Sequence, residues 1–305
     1  MTSQTLDFLN YLQNRGFAKR TINWNTTEAE KYQSWLQLNH HQTPEAATKK
    51  QLLDYLQHCK ESRNLNNDSQ YCILKVLKNY YKYLAANYDV PNITAFIKIR
   101  GINRKKLQAL FTPDELDLLC DAYYYYIEEY VPHNNALHYF PNYTKLLQGR
   151  YILLTLVAYQ GLKMQEIKQL TKSNFNLKKA ILTIHSSKLS AARTLPLEAS
   201  QIGVLMQYYA NETTENNEPI VPNGNHTQKL ATTLRELTEK PSMGITTFKS
   251  FKQIRASKIT HWIKQYGLRK AQYLAGHKHI TSTERFLDNN IETLQNDFNN
   301  FHPLN

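Results

Sequence analysis

The run RGINRKK, Arg100 to Lys106, followed almost at once by FTPDELDLL, divides this chain and requires each part to build its own core. Thr112 stands where a helix N-cap belongs, Pro113 occupies the first helical position, and Glu115 falls three residues after the cap. That spacing is a capping box, in which hydroxyl and carboxylate satisfy the first orphan N–H groups of a helix. A chain that restarts so sharply after a short, basic, Gly-containing connector changes domain there. The boundary therefore falls between residues 106 and 107, and a chain of 305 residues gives either side enough length to bury a core.

The first part reads as helices. Thr48 and Gln51 form another capping box, opening a helix that carries Leu52, Leu53 and Leu56. Leu74, Leu77, Tyr81 and Leu84 recur at helical spacing up to Val90-Pro91, where the proline disfavours continuation. Trp24, Tyr32 and Trp35 lie on a further helical stretch, where core packing is the expectation ahead of base stacking.

The second part starts helical through DAYYYYIEEY, whose four consecutive tyrosines cannot share one helix face. Residues 131–145 read as an inserted loop. Helices resume over 150–160, break at Gly161 and restart over 166–170. Ile181 to Ile184 and Thr194 to Leu197, separated by a polar turn, have strand character and predict a small antiparallel sheet. Residues 211–228 are polar and read as a loop. Helices complete the chain, with breaks at Gly267 and Gly276. The fold class is thus mainly α, with one small sheet in the second domain.

Charge narrows the function. The chain carries 37 Lys and Arg against 25 Asp and Glu, a net charge of +12. From Ile245 to Thr283 eight basic residues, Lys249, Lys252, Arg255 and Lys258 among them, occur with no acid. Such clustering suits a polyanion, and nucleic acid ahead of an anionic membrane, because no basic helix abuts an apolar anchor. A merely basic soluble protein is the plainer alternative. The longest apolar stretch, Tyr151 to Tyr159, is too short to span a bilayer, and the N-terminus lacks a secretory pattern. Cys59, Cys72 and Cys120 read as reduced, buried thiols of a cytoplasmic protein. His277 and His279 form an H-x-H, but no carboxylate or cysteine lies at a suitable spacing, so no metal is expected.

Four segments in order carry more than any one alone: YQGLKMQEIKQL, ILTIHSSKLSAARTLPL, FKSFKQIRASKITHWIKQYGL and YLAGHKHITSTERF. Together they resemble the catalytic domain of the tyrosine recombinase (phage integrase) family. NRGFAKRTINWN, KQLLDYLQHC and QYCILKVLKNYYKYLAANYDVPNI resemble its helical core-binding domain. The resemblance implies a core-binding domain over 1–106, a catalytic domain over 107–305, and a two-domain clamp around duplex DNA. In that family a tyrosine oxygen attacks a DNA phosphate without metal or cofactor. Two arginines hold the phosphate oxygens as charge builds on them, and a hairpin lysine protonates the leaving oxygen.

Carried over residue by residue, the hairpin lysine corresponds to Lys188, the second arginine to Arg255, the histidine of the Gly-His pair to His277, and the supporting acid to Glu166. Three positions depart. Lys163 replaces the first arginine, keeping charge but losing the planar fork that grips two oxygens at once. Lys252 replaces the histidine three residues before Arg255. Phe286 replaces the tyrosine, and a phenyl ring has no oxygen with which to attack. None of the 21 tyrosines lies beyond Tyr273, so no neighbour supplies the missing phenol. Ser282 and Thr283 are nearby hydroxyls of a kind the family does not use.

The resemblance thus implies a double-stranded DNA-binding protein with a degenerate catalytic site: Lys163, Lys188, Lys252, Arg255, His277 and Phe286. Lys249, Lys258, Arg104, Lys105 and Lys106 are the expected additional DNA contacts. The alternative is an active site-specific recombinase or integrase of a mobile element that carries an introduced Tyr-to-Phe change at 286. A protein–protein scaffold that no longer uses DNA is a third reading. In the tail, Ile291, Leu294, Phe298 and Phe301 form one apolar stripe of a helix. It either packs on its own domain or, as the resemblance implies, docks on another copy or an active recombinase partner.

Overall fold

The computed structural model describes residues 3–101, 109–133, 143–188, 190–210, 219–220 and 225–287. The expected DNA contacts Arg104, Lys105 and Lys106 and the apolar stripe of the tail lie outside these residues. The chain forms two compact units, Met1–Lys106 and Leu107–Asn305. The fold is mainly α: among the described residues there are eleven α-helices and one three-stranded sheet.

The first unit packs α1 (Ser3–Asn14), α2 (Lys19–His40), α3 (Lys49–Ser62) and α4 (Asn67–Tyr88) around an aromatic core. Thr48 and Gln51 form the expected box at the start of α3: Gln51 N–H donates to Thr48 Oγ1 and Thr48 N–H to Gln51 Oε1. Phe8, Tyr32, Leu52, Tyr80, Tyr81 and Leu84 are fully buried. Core packing holds for Tyr32 and, through the Tyr55 ring, for half-buried Trp35, but not for Trp24, which is 45% exposed. It falls on the outer side of α2, a distinction that the spacing of three aromatic residues does not make. Glu28 is buried in α2 and held below the carboxylate range: burial would raise its pKa, but hydrogen bonds and charge from Arg63 and Lys31 outweigh it. Cys59 and Cys120 are buried thiols, whereas Cys72 is exposed on the outer face of α4, against expectation.

The second unit begins with α5 (Pro113–His133), where Thr112 N–H donates to Glu115 Oε2 and Glu115 N–H to Thr112 Oγ1. Of the four tyrosines, Tyr123 is buried, Tyr126 is half-buried, and Tyr124 and Tyr125 face water. Helix α6 (Tyr143–Ala158) is buried at Leu147 and from Gly149 to its end, as a largely apolar central helix must be. The expected insertion over 131–145 is shorter at both edges, because α5 runs to His133 and α6 opens at Tyr143. After α7 (Met164–Ile167), strands β1 (Phe175–Asn176), β2 (Ile181–Ile184) and β3 (Arg193–Pro196) pair antiparallel in the order β1-β2-β3. Leu182 faces Leu195 and Ile184 faces Arg193. The third strand starts one residue earlier than its sequence suggests.

Helices α8 (Ala199–Ala210) and α9 (His226–Thr238) pack on α6, and α9 takes in the last three residues of the segment read as loop. Its apolar face, Leu230, Leu234 and Leu237, outweighs the polar start. Helix α10 (Phe251–Ala275) bends at Gly267, and α11 (Thr281–Glu284) follows. No helix of the described residues is long and apolar enough to cross a membrane.

Candidate functional site

Gly161 closes the turn after α6 at φ +54°, and a β-carbon there would meet the Trp262 ring at 2.9 Å. This tight turn delivers Lys163 to the N-cap of α7. Glu166, three residues later, accepts the Lys163 N–H at 2.8 Å. Its carboxylate also pairs with Arg193, Nη1 to Oε1 at 2.8 Å and Nη2 to Oε2 at 3.0 Å, both side chains being buried. Burial alone would raise the Glu166 pKa. The Arg193 bonds and charge, with the Lys163 N–H and the Ser190 hydroxyl, instead hold it down at about 2.

Lys163 Nζ donates to Ser190 Oγ at 2.8 Å, which ties α7 to the β2–β3 turn. Burial, then the charge of Arg255, lowers the Lys163 pKa, with Glu166 opposing. Lys188 stands exposed on that same turn, between Ser187 and Ser190, whose backbones bond to each other.

Arg255 sits in the second turn of α10, a helix opened by the Ser250 hydroxyl accepting from Gln253 N–H. Its guanidinium is buried. Nη2 donates to the Ala275 carbonyl at 2.8 Å and lies 3.2 Å from His277 Nε2. Its Nη1 is buried and has no hydrogen-bond partner among the described residues. Desolvation is the main reason its pKa falls to about 10, and Arg193 adds to the fall while Glu166 opposes it. A buried, charged N–H donor with no acceptor is costly, by about 1–3 kcal/mol or more. An oxyanion is the acceptor that such a donor takes, and Arg255, Arg193 and Lys163 interact electrostatically around the spot.

Gly276 ends α10 in the left-handed conformation and turns the chain so that His277 meets Arg255. Burial, then the charges of Arg255, Lys163 and Arg193, depress the His277 pKa to about 4, so the imidazole is neutral near pH 7. With Nε2 accepting from Arg255, the proton belongs on Nδ1 and is donated to Thr283 Oγ1 at 2.9 Å. Phe286 lies parallel to this ring, with centroids 5.9 Å apart and planes 13° apart. Its other neighbours belong to the cluster of Ile259, Trp262, Ala271 and Ala275.

The structure thus brings together Lys163, Arg255, His277 and Phe286. Lys188 joins them through its turn, while Lys249 and Lys252 are exposed at the start of α10. Lys258 differs from these: half-buried, it lies over the Trp262 ring at 5.8 Å, and its charged neighbours are Glu198 and Asp117. Three participants were not legible from spacing: Arg193, Ser190, and Thr283 as the partner of His277. Arg193 carried one signal, since it shares inward parity with Leu195 on β3, and a charge on that face needs a buried carboxylate. Among the described residues no three His, Cys, Asp or Glu side chains group as metal ligands.

Comparison with known proteins adds to this geometry. The model of the phage integrase family matches residues 132–293. The tyrosine recombinase XerC of Rickettsia bellii strain RML369-C is 25% identical over 237 residues, covering 76% of this chain and 72% of that protein. Among solved structures, a lambda integrase dimer bound to a COC' core site has a TM-score of 0.65 at 15% identity, covering 94% of this chain and 77% of that one. XerH site-specific recombinase in a post-cleavage complex with palindromic difH substrate has a TM-score of 0.66 at 15% identity, covering 92% and 80%. The Tn1549 transposon integrase with transposon right end DNA has a TM-score of 0.63 at 12% identity, covering 97% and 99%. At such identities the structural likeness speaks to fold.

Proposed function

The chain belongs to the phage integrase family, the tyrosine recombinases, and we propose that it binds double-stranded DNA without cutting it. The observation that carries this reading is the stack of Phe286 on His277. At the position where the family is expected to deliver a phenol, the ring next to the Arg255–His277 pair has no oxygen. Without that nucleophile no phosphotyrosine forms and no strand opens. Arg255, with a buried N–H lacking an acceptor among the described residues, and the cations Lys163 and Lys188 are the groups that take the phosphate. Glu166 and Arg193 hold α7 and the hairpin in place from beneath.

Three things support DNA as the ligand: the net charge of +12, the acid-free basic run over 245–283, and the DNA in the lambda integrase, XerH and Tn1549 integrase complexes. In this reading residues 1–106 act as the core-binding domain and 107–305 as the former catalytic domain, closing on the duplex as a clamp. The apolar stripe from Ile291 to Phe301 docks on another copy or an active recombinase partner. Lys163 marks a site that has drifted from cleavage, since lysine does not hold two phosphate oxygens in a fork.

A second reading is favoured by the intact Arg255–His277–Thr283 chain of hydrogen bonds. It holds that the protein is an active recombinase of a mobile element in which Phe286 is an introduced change. The deciding experiment incubates a nicked duplex with the chain as it stands and with Phe286→Tyr. A detergent-resistant adduct on the unaltered chain overturns the proposal. An adduct only on Phe286→Tyr shows a site competent but for its nucleophile and favours the second reading, whereas none on either favours drift that includes Lys163.

A further inference from the structure

The turn that follows α4 carries a side chain for which the fold has no use. Phe96 is 93% exposed, the most exposed large hydrophobic among the described residues, and its backbone lies at φ +62°. That region disfavours any residue with a β-carbon, and a bulky aromatic residue there is an outlier. Yet the turn is pinned. Asn92 Oδ1 accepts the Thr94 N–H at 3.1 Å and its hydroxyl at 2.6 Å, and Ile97 N–H donates to the Thr94 carbonyl at 3.3 Å. From α4, Lys78 Nζ donates to the Ile97 carbonyl at 2.9 Å and Asn67 Nδ2 to that of Arg100 at 3.1 Å. Thr94 and Ile97, on either side, are buried. A fixed backbone therefore holds one phenyl ring out in water.

The charge around it indicates what it meets. From Val90 to Lys106 the sequence has five Lys and Arg and no Asp or Glu. A protein partner for such a segment needs an acidic rim around an apolar pocket. Duplex DNA offers the same pair of chemistries everywhere, anionic rails with stacked bases between them.

We propose that Phe96 is a wedge that enters between two adjacent base pairs of bound DNA, while Lys98 and Arg100 take phosphates beside it. The inference rests on the DNA-binding reading above and adds the point at which the duplex is unstacked. Apolar wedges open a base step and kink the helix, most easily at pyrimidine–purine steps.

The test uses the full chain and Phe96→Asn, a residue that tolerates the left-handed backbone. The probe is a short mixed-sequence duplex with 2-aminopurine at its TA steps, bound at low salt. Binding of the unaltered chain is expected to raise 2-aminopurine fluorescence. Phe96→Asn is expected to abolish that rise and weaken binding about five- to a hundredfold, with a melting temperature no lower. Equal fluorescence and equal affinity in both proteins overturn the wedge and leave DNA binding standing. No binding by the unaltered chain overturns the DNA-binding reading itself, and the wedge with it. A lower melting temperature for Phe96→Asn at unchanged affinity assigns the ring to folding and overturns the wedge. So does self-association without DNA that Phe96→Asn abolishes, which assigns the ring to a second copy.

Discussion

A β-carbon on Gly276 would lie 2.1 Å from Nη1 of Arg193, the nitrogen that holds Glu166 Oε1. The end of α10 and the first residue of β3 therefore fit only because one of them has no side chain. Gly276→Ala must both strain a left-handed backbone and push the guanidinium off its carboxylate. Gly244, at φ +59° with open space around it, separates the two effects. Gly244→Ala is expected to lose about 1–2 kcal/mol from backbone strain. Gly276→Ala is expected to lose about 3 kcal/mol or more because it also disturbs a buried ion pair. Urea unfolding of the two variants measures the difference, and equal losses would show that Arg193 moves aside freely.

The Glu166–Arg193 pair also sets an acid limit. Glu166 falls from 4.5 to about 2 on folding, so between those values the unfolded chain binds the extra proton. Its contribution is whole above pH 4.5 and drains away as pH drops toward 2. Glu166→Gln is expected to unfold about 3–5 kcal/mol more easily near pH 7, because Arg193 stays buried without its counter-charge. The variant should also lose this part of the acid slope in denaturation curves from pH 5 to lower values. An unchanged slope would place the carboxylate outside the stability balance.

His277 has the opposite charge type but the same direction. Its pKa falls from 6.5 to about 4, so the unfolded chain is protonated first and stability declines as pH falls through that interval. Nitrogen NMR of the imidazole is expected to show a neutral ring at pH 5.5, protonated on Nδ1. Thr283→Val removes the acceptor of that proton and should shift the tautomer balance. A ring already cationic at pH 6 in the unaltered protein would contradict the burial and charge described for it.

Salt dependence separates surface lysines from buried ones. Lys252 is exposed one turn before Arg255, so Lys252→Gln is expected to reduce the slope of log affinity against log salt by about one on duplex DNA. Lys258 lies against Trp262 instead, and Lys258→Gln should leave the slope alone while lowering stability by about 0.5–1 kcal/mol. A drop in slope for Lys258→Gln, with none for Lys252→Gln, would reverse the assignment.

What could be read in advance follows the range of the interactions. Both capping boxes, at Thr48 and Thr112, are complete within four residues, and both formed as written. The order of Lys163, Arg255, His277 and Phe286 was legible because the resemblance fixes spacing as well as type. Arg193 was not, since its place depends on a carboxylate from α7 and a missing side chain at the end of α10, neither of them near it in sequence. Trp24 and Cys72 failed for a related reason: a helical period says that a stripe exists, but residues at its margin can fall on either side. The opening of α9 at His226 shows tertiary packing of Leu230 and Leu234 overriding a polar, loop-like start.

The bond from Lys163 to Ser190 couples two cations that arrive from different parts of the chain. The ammonium is moored to the turn that displays Lys188, so whatever draws one toward itself tugs on the other. A guest anion would feel them as a sprung pair of jaws, and trimming Ser190 to alanine would slacken the spring between them.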